Sequence, residues 1–230
     1  LFVFKEAATR EINTRARHGA LPSWLVRRVH GGARPASAAE ADFASRQGTA
    51  AAAKSSLGLA AARLIASGQI VFLDGGTSNI QVARQIPWDL RATVITHSPS
   101  IAVELVGHPS IDVEMIGGRL FKHSIVTVGS TSAEAIARVR ADIFFMGVTG
   151  LHPETGATTG DAEEASIKRL IARQSGETVV IATKEKLGAA SPYQIVPLSE
   201  ITTLVTESPD DPEQLRPFKS SAVTVVETDH

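Results

Sequence analysis

The residues with the most chemical potential in this 230-residue chain are polar groups that follow short aliphatic runs. Asp74-Gly75-Gly76-Thr77-Ser78 follows Ile70–Leu73 and precedes a stretch that reads as a helix. Two glycines let the backbone turn tightly and approach a ligand. The N–H groups at a helix start carry partial positive charge, and two hydroxyls can add hydrogen bonds. That combination suits a phosphate. Capping of the helix by Thr77 or Ser78 would use the same residues, so both readings stand. The turn is neither a Walker sequence, which needs Gly-Lys-Ser/Thr, nor a G-x-G-x-x-G dinucleotide turn.

Four further strand ends carry polar or flexible groups. Thr96-His97-Ser98 follows an aliphatic run and reads either as a ligand-facing set or as a helix cap with an incidental histidine. Gly117-Gly118-Arg119 is either a turn or a close approach to ligand, with Gly129 after a second aliphatic run. Asp142 opens a strand whose glycines, Gly147 and Gly150, lie at its other end, which weighs against a shared site unless the chain bends. Lys186 lies on a loop beyond a strand, well placed to meet a phosphate as a point charge, although most lysines are solvated. Glu164 and Lys168 are spaced i,i+4 on one helix face, and a surface pair of that kind contributes only ~0.3–0.5 kcal/mol. The seven histidines are scattered without metal-ligand spacing, and no serine sits in a G-x-S-x-G turn, so neither a metal centre nor a catalytic triad is expected.

These groups need a scaffold that brings strand ends together. Helix-like stretches at 50–66, 79–85, 99–105, 130–138 and 161–174 alternate with strand-like runs at 70–73, 93–96, 111–116, 142–148, 178–182 and 202–206. A further edge strand is expected at 223–226. Such alternation implies βαβ units and an α/β fold with a mostly parallel, doubly wound, Rossmann-like sheet and helices on both faces. In such sheets ligands bind outside the carboxyl ends of the strands. Hydrophobic residues make up 43% of the chain, enough for a substantial core. The net charge of −1 provides no global attraction to nucleic acid, and the absence of cysteine suits a reducing compartment. No apolar run approaches the ~20 residues of a membrane span. The chain begins at Leu1 with no secretory pattern, which reads as an intracellular, cytoplasmic fragment of a longer protein.

Taken in order, the motifs resemble the DeoR family of bacterial transcriptional repressors. Arg28-Val29-His30-Gly31-Gly32-Ala33 is similar to the RVHGGA segment that closes the family's winged helix-turn-helix. Phe43, Arg46 and Lys54 resemble its linker helix. Phe72 to Ser78 resembles its LDxGTT loop, with Ser at the last position, and Thr96-His97-Ser98 stands where the family has Thr-Asn-Ser. The strand from Asp142 to Gly147, the helix carrying Glu164, Ala165 and Lys168, and Lys186-Leu187-Gly188 follow in the family's order. Thr183 stands where the family has Asp.

The resemblance implies an effector domain with the fold of ribose-5-phosphate isomerase, a phosphorylated sugar effector on the Gly-Thr loop, and operator DNA as partner. It implies no cofactor. The effector-binding set is then Asp74, Gly75, Gly76, Thr77, Ser78, Thr96, His97, Ser98, Gly117, Gly118, Asp142, Glu164, Lys168 and Lys186. The organisation is a winged-helix remnant at 1–33, a linker at 34–53 and an effector domain at 54–230. Residues 1–26 lack the pattern of a recognition helix, because Gly19 and Pro22 interrupt it. The DNA-reading element is therefore truncated or altered. A homo-oligomer, dimer or tetramer, is expected, with the alanine-rich helix at 50–66 small enough to pack closely on a neighbour. A sugar-phosphate isomerase is the alternative, with Asp142 or Glu164 as base; a generic nucleotide-binding domain lacks its usual phosphate motif.

Overall fold

The computed structural model describes residues 26–29, 32–35 and 43–228. The expectation about a recognition helix before residue 26 falls outside them. An antiparallel hairpin, β1 (Val26–Val29) and β2 (Gly32–Pro35), spans the RVHGGA segment. Two helices follow, α1 (Phe43–Gln47) and α2 (Ala51–Ala62). The first half of the sheet is β3 (Ile70–Leu73), α3 (Thr77–Gln85), β4 (Ala92–Thr96), α4 (Pro99–Leu105) and β5 (Ile111–Met115). A hairpin of β6 (Arg119–Phe121) and β7 (Val126–Val128) leads to α5 (Ser130–Ile136) and β8 (Ala141–Gly147). Then come β9 (Gly150–His152), β10 (Gly156–Thr159), α6 (Ala162–Arg173), β11 (Ser175–Ala182), β12 (Tyr193–Val196), β13 (Thr203–Glu207), α7 (Arg216–Lys219) and β14 (Thr224–Thr228).

The main sheet has seven strands in the order β14-β13-β11-β8-β3-β4-β5, and every neighbouring pair is parallel. The expected mixture of directions is confined to the small sheets β1-β2, β6-β7 and β12-β10-β9. Both faces of the main sheet are covered, which is why its strands are continuous aliphatic runs rather than alternating ones. Val71, Leu73, Ile143, Phe145, Val179 and Ile181 face one core with Leu57 of α2, Ile80 of α3 and Ile101 of α4. Phe72, Phe144, Met146 and Val180 face the other with Ile136 of α5 and Ile167 and Ile171 of α6.

The chain starts its sheet in the middle at β3, runs outward through β4 and β5, and returns to the other side of β3 at β8. Strand order therefore reverses between β3 and β8, and their carboxyl ends flank a crevice. The alanine-rich stretch forms a helix, but it ends at Ala62, short of residue 66. Its small residues serve contact within the chain: a Cβ on Gly58 would lie 2.5 Å from Gln81 of α3. Residues 43–53, read above as linker, pack on this unit, since Phe43 is buried in the α2–α4 core. Among the described residues no helix is long and apolar enough to cross a membrane.

Candidate functional site

Asp74 is the first residue after β3 and lies at the reversal point, fully buried. Its Oδ1 accepts from the Gly75 N–H at 2.7 Å and from His97 Nε2 at 2.8 Å. Its Oδ2 accepts from the Gly147 N–H at 2.9 Å and from Lys168 Nζ at 3.0 Å. Burial by itself would raise this carboxyl, but the Lys168 charge and the His97 bond outweigh it and hold it at about 2. His97 also turns Nδ1 to the Thr127 carbonyl at 3.0 Å. Lys168 uses all three of its donors, on Asp74, on Glu164 Oε1 at 2.8 Å and on the Gly147 carbonyl at 2.7 Å. Burial opposes its charge, yet Asp74 and Glu164 raise it above an ordinary lysine. Asp74, Glu164, His97 and Lys168 thus form one buried network under the crevice, with hydrogen bonds completing the set, as buried charges require.

Above this floor the Gly75–Asn79 segment turns into α3. Gly76 holds φ 107°, ψ 160°, a conformation closed to residues with a Cβ. No side chain caps α3, and the first N–H bonded back into the helix is that of Ile80. The N–H groups of Thr77, Ser78 and Asn79 are therefore open, with the positive end of the helix behind them. Ser78 Oγ and Asn79 Oδ1 are shielded from solvent and have no hydrogen-bond partner among the described residues. A buried hydroxyl left unpaired costs about 1–3 kcal/mol, so its persistence points to a missing partner.

These groups border a cavity of about 260 Å³. Its other walls come from Arg46, Thr49 and Lys54 before the sheet, from Phe121, His123 and Ser124 at the β6–β7 tip, and from Thr159, Glu164, Lys168, Glu185 and Lys186. Lys186 is buried in this wall, with the Glu185 carboxylate acting on its ammonium. Burial lowers it to about 8; Glu185 opposes the shift and Arg46, Lys54 and Lys168 add to it. A buried amine and helix N–H groups without partners, lining one cavity, can hold an anion.

The structure brings Gly75, Gly76, Thr77, Ser78, Glu164, Lys168 and Lys186 to this cavity. Glu164 and Lys168 are not a surface pair but buried, with Glu164 Oε2 also accepting from Ser124 and Thr159 at 3.3 Å each. Asp74, Thr96, His97 and Ser98 lie beneath the loop and act on it indirectly. Thr96 Oγ1 donates to the Leu73 carbonyl at 2.7 Å, and Ser98 Oγ donates to the Ile125 carbonyl at 3.0 Å rather than capping α4. Three expected contacts are corrected. Asp142 lies at the amino end of β8, exposed, and its carboxylate accepts from the Ile70 N–H at 2.7 Å. Gly117 and Gly118 sit at the β5–β6 turn outside the cavity, where the Gly117 carbonyl accepts from Ser132 Oγ at 2.8 Å. Arg119 pairs with Glu163 on the surface. Arg46, Thr49, Lys54, Asn79, Ser124 and Thr159 were not expected in the site; Arg46 and Lys54 had drawn notice only as linker motifs.

A doubly wound parallel sheet with a cationic, hydrogen-bond-hungry cavity at its reversal point defines a Rossmann-type α/β domain. The chain belongs to the DeoR family of transcriptional regulators, because residues 49–208 match the DeoR C terminal sensor domain. It is 32% identical over 205 residues to the HTH-type transcriptional regulator GlpR of Haloferax volcanii, covering 88% of this chain and 80% of that protein. It is 32% identical over 165 residues to the HTH-type transcriptional repressor GlcR of Bacillus subtilis, covering 72% of this chain and 63% of that one. These relatives are regulators rather than enzymes. The solved ribose 5-phosphate isomerase A of Methanocaldococcus jannaschii aligns with a TM-score of 0.43 at 15% identity, over 58% of this chain and 52% of its own.

Proposed function

We propose that the cavity binds a phosphorylated small molecule, a sugar phosphate or similar metabolite, and that its occupancy controls DNA binding by the intact regulator. The phosphate lies on the open N–H groups of Thr77, Ser78 and Asn79, takes the Ser78 hydroxyl, and pairs with Lys186. The unpartnered Ser78 Oγ beside those N–H groups carries the reading. The site senses rather than processes, in keeping with the regulators to which the chain is similar, and the two carboxylates of its floor are filled with donors. Asp74 accepts from four groups and Glu164 from three, which leaves neither as a ready base. In the intact protein the β1–β2 hairpin, with Arg27, Arg28 and Arg34, stands at operator DNA as part of a winged helix-turn-helix. That protein works in the cytoplasm as a dimer or tetramer.

Thermal stabilisation by a panel of sugar phosphates, compared with the same sugars unphosphorylated, tests the reading. Ligand at about 100 times its Kd contributes about 2.7 kcal/mol, enough to raise the melting temperature measurably. Equal response to phosphorylated and plain sugars would remove the phosphate from the account.

A further inference from the structure

One wall of the cavity is built from the segment that joins the β1–β2 hairpin to the sheet. Arg46 and Thr49 line it together with Lys54. Lys54 is buried, and its Nζ donates to the Arg46 carbonyl at 2.7 Å and the Thr49 carbonyl at 2.6 Å. It therefore ties down the carboxyl end of α1 from the first turn of α2. Phe43 secures the other end of α1. Its side chain is buried in the core, and its N–H donates at 3.1 Å to the carbonyl of His123, which itself borders the cavity. An ammonium has three N–H groups. The two carbonyls occupy two of them, and one remains for the cavity.

Electrostatics sets the direction of any coupling. Burial lowers Lys54, Glu185 opposes that, and the Arg46 charge adds to it. Arg46 and Lys54 in turn both disfavour the charge on Lys186. Arg46, Lys54 and Lys186 therefore repel one another around the cavity, and Glu185 opposes that repulsion. An anion among them removes that repulsion and favours the close, docked arrangement.

We propose that Lys54 couples occupancy of the cavity to docking of the α1 segment, so that a bound anion fastens the lead to the DNA-binding hairpin and an empty cavity loosens it. This rests on the phosphate reading above. The ligand completes a site of which the linker is a wall, and by reciprocity a docked linker binds the ligand more tightly.

Amide hydrogen exchange on the intact chain, with inorganic phosphate and glucose 6-phosphate as probes, tests it. A probe that binds only the docked form, at about ten times its Kd, should slow exchange of the Phe43, Thr49 and Lys54 amides about tenfold. In Lys54→Met, with the probe raised until the amides of α3 are slowed as in the wild type, its effect on Phe43 and Thr49 should be lost. The wild-type chain decides the matter even if that variant folds poorly. Saturable binding with unchanged exchange at those three amides overturns the coupling and leaves the phosphate reading standing. Failure of both probes to bind overturns both.

Discussion

Asp74 and Asp142 belong to neighbouring parallel strands, one just past the carboxyl end of β3 and the other near the amino end of β8. Asp74 is wholly buried and accepts from two backbone N–H groups, a histidine and a lysine. Asp142 is exposed and accepts from one backbone N–H. The same side chain thus builds a charged floor at one end of the sheet and closes a strand at the other. What separates them is strand polarity. In a parallel sheet all carboxyl ends converge on one edge, and only there do the loops of β3, β8 and β11 meet.

Mutation should widen this contrast. Asp74→Ala leaves Lys168 and His97 buried without their shared carboxylate, and loss of one partner of a buried ion network costs about 3–5 kcal/mol. Chemical denaturation should show that loss; a cost below about 1 kcal/mol would mean the floor carries no structural weight. A smaller effect concerns the cavity's own charge. Lys186 has a lowered value of about 8, and a bound anion favours its charged form. Binding therefore takes up a proton, and affinity falls as pH rises through about 8, by up to about tenfold per pH unit. A phosphate monoester is already a dianion there, since its second pKa is about 6. Titrations at several pH values should show this slope in the wild type and not in Lys186→Met. Smallest of all, Asp142→Ala should cost about 1 kcal/mol or less and leave ligand affinity unchanged. A change in affinity would bring the amino end of the sheet into the site.

The contrast also shows what residues alone could convey. The strands are legible because a sheet covered on both faces needs continuous aliphatic runs, as in Ile70–Leu73 and Ala141–Gly147. Glycines before a helix with two hydroxyls mark the loop for the same local reason. Asp142 misleads only through the resemblance, because its place at the start of a strand already sets it at the end away from Gly147. The β6–β7 hairpin leaves little trace: its tip carries Ile125 at φ 53°, where a turn signal would be glycine or asparagine. Ser124, Thr159 and Asn79 look like ordinary polar residues until long-range pairing brings them to one cavity. Arg46 and Lys54 have the charge of a site but the position of a linker, and only the packing of α1 against α3 and the core makes them walls.

The account rests on where a phosphate group sits. A crystal structure of the chain soaked with glucose 6-phosphate measures that directly. The phosphorus should lie over the amino end of α3, with the Thr77, Ser78 and Asn79 N–H groups, Ser78 Oγ and Lys186 Nζ all within hydrogen-bond reach of its oxygens. A sugar phosphate bound elsewhere, or bound here with its phosphate turned away from residues 77–79, would contradict it.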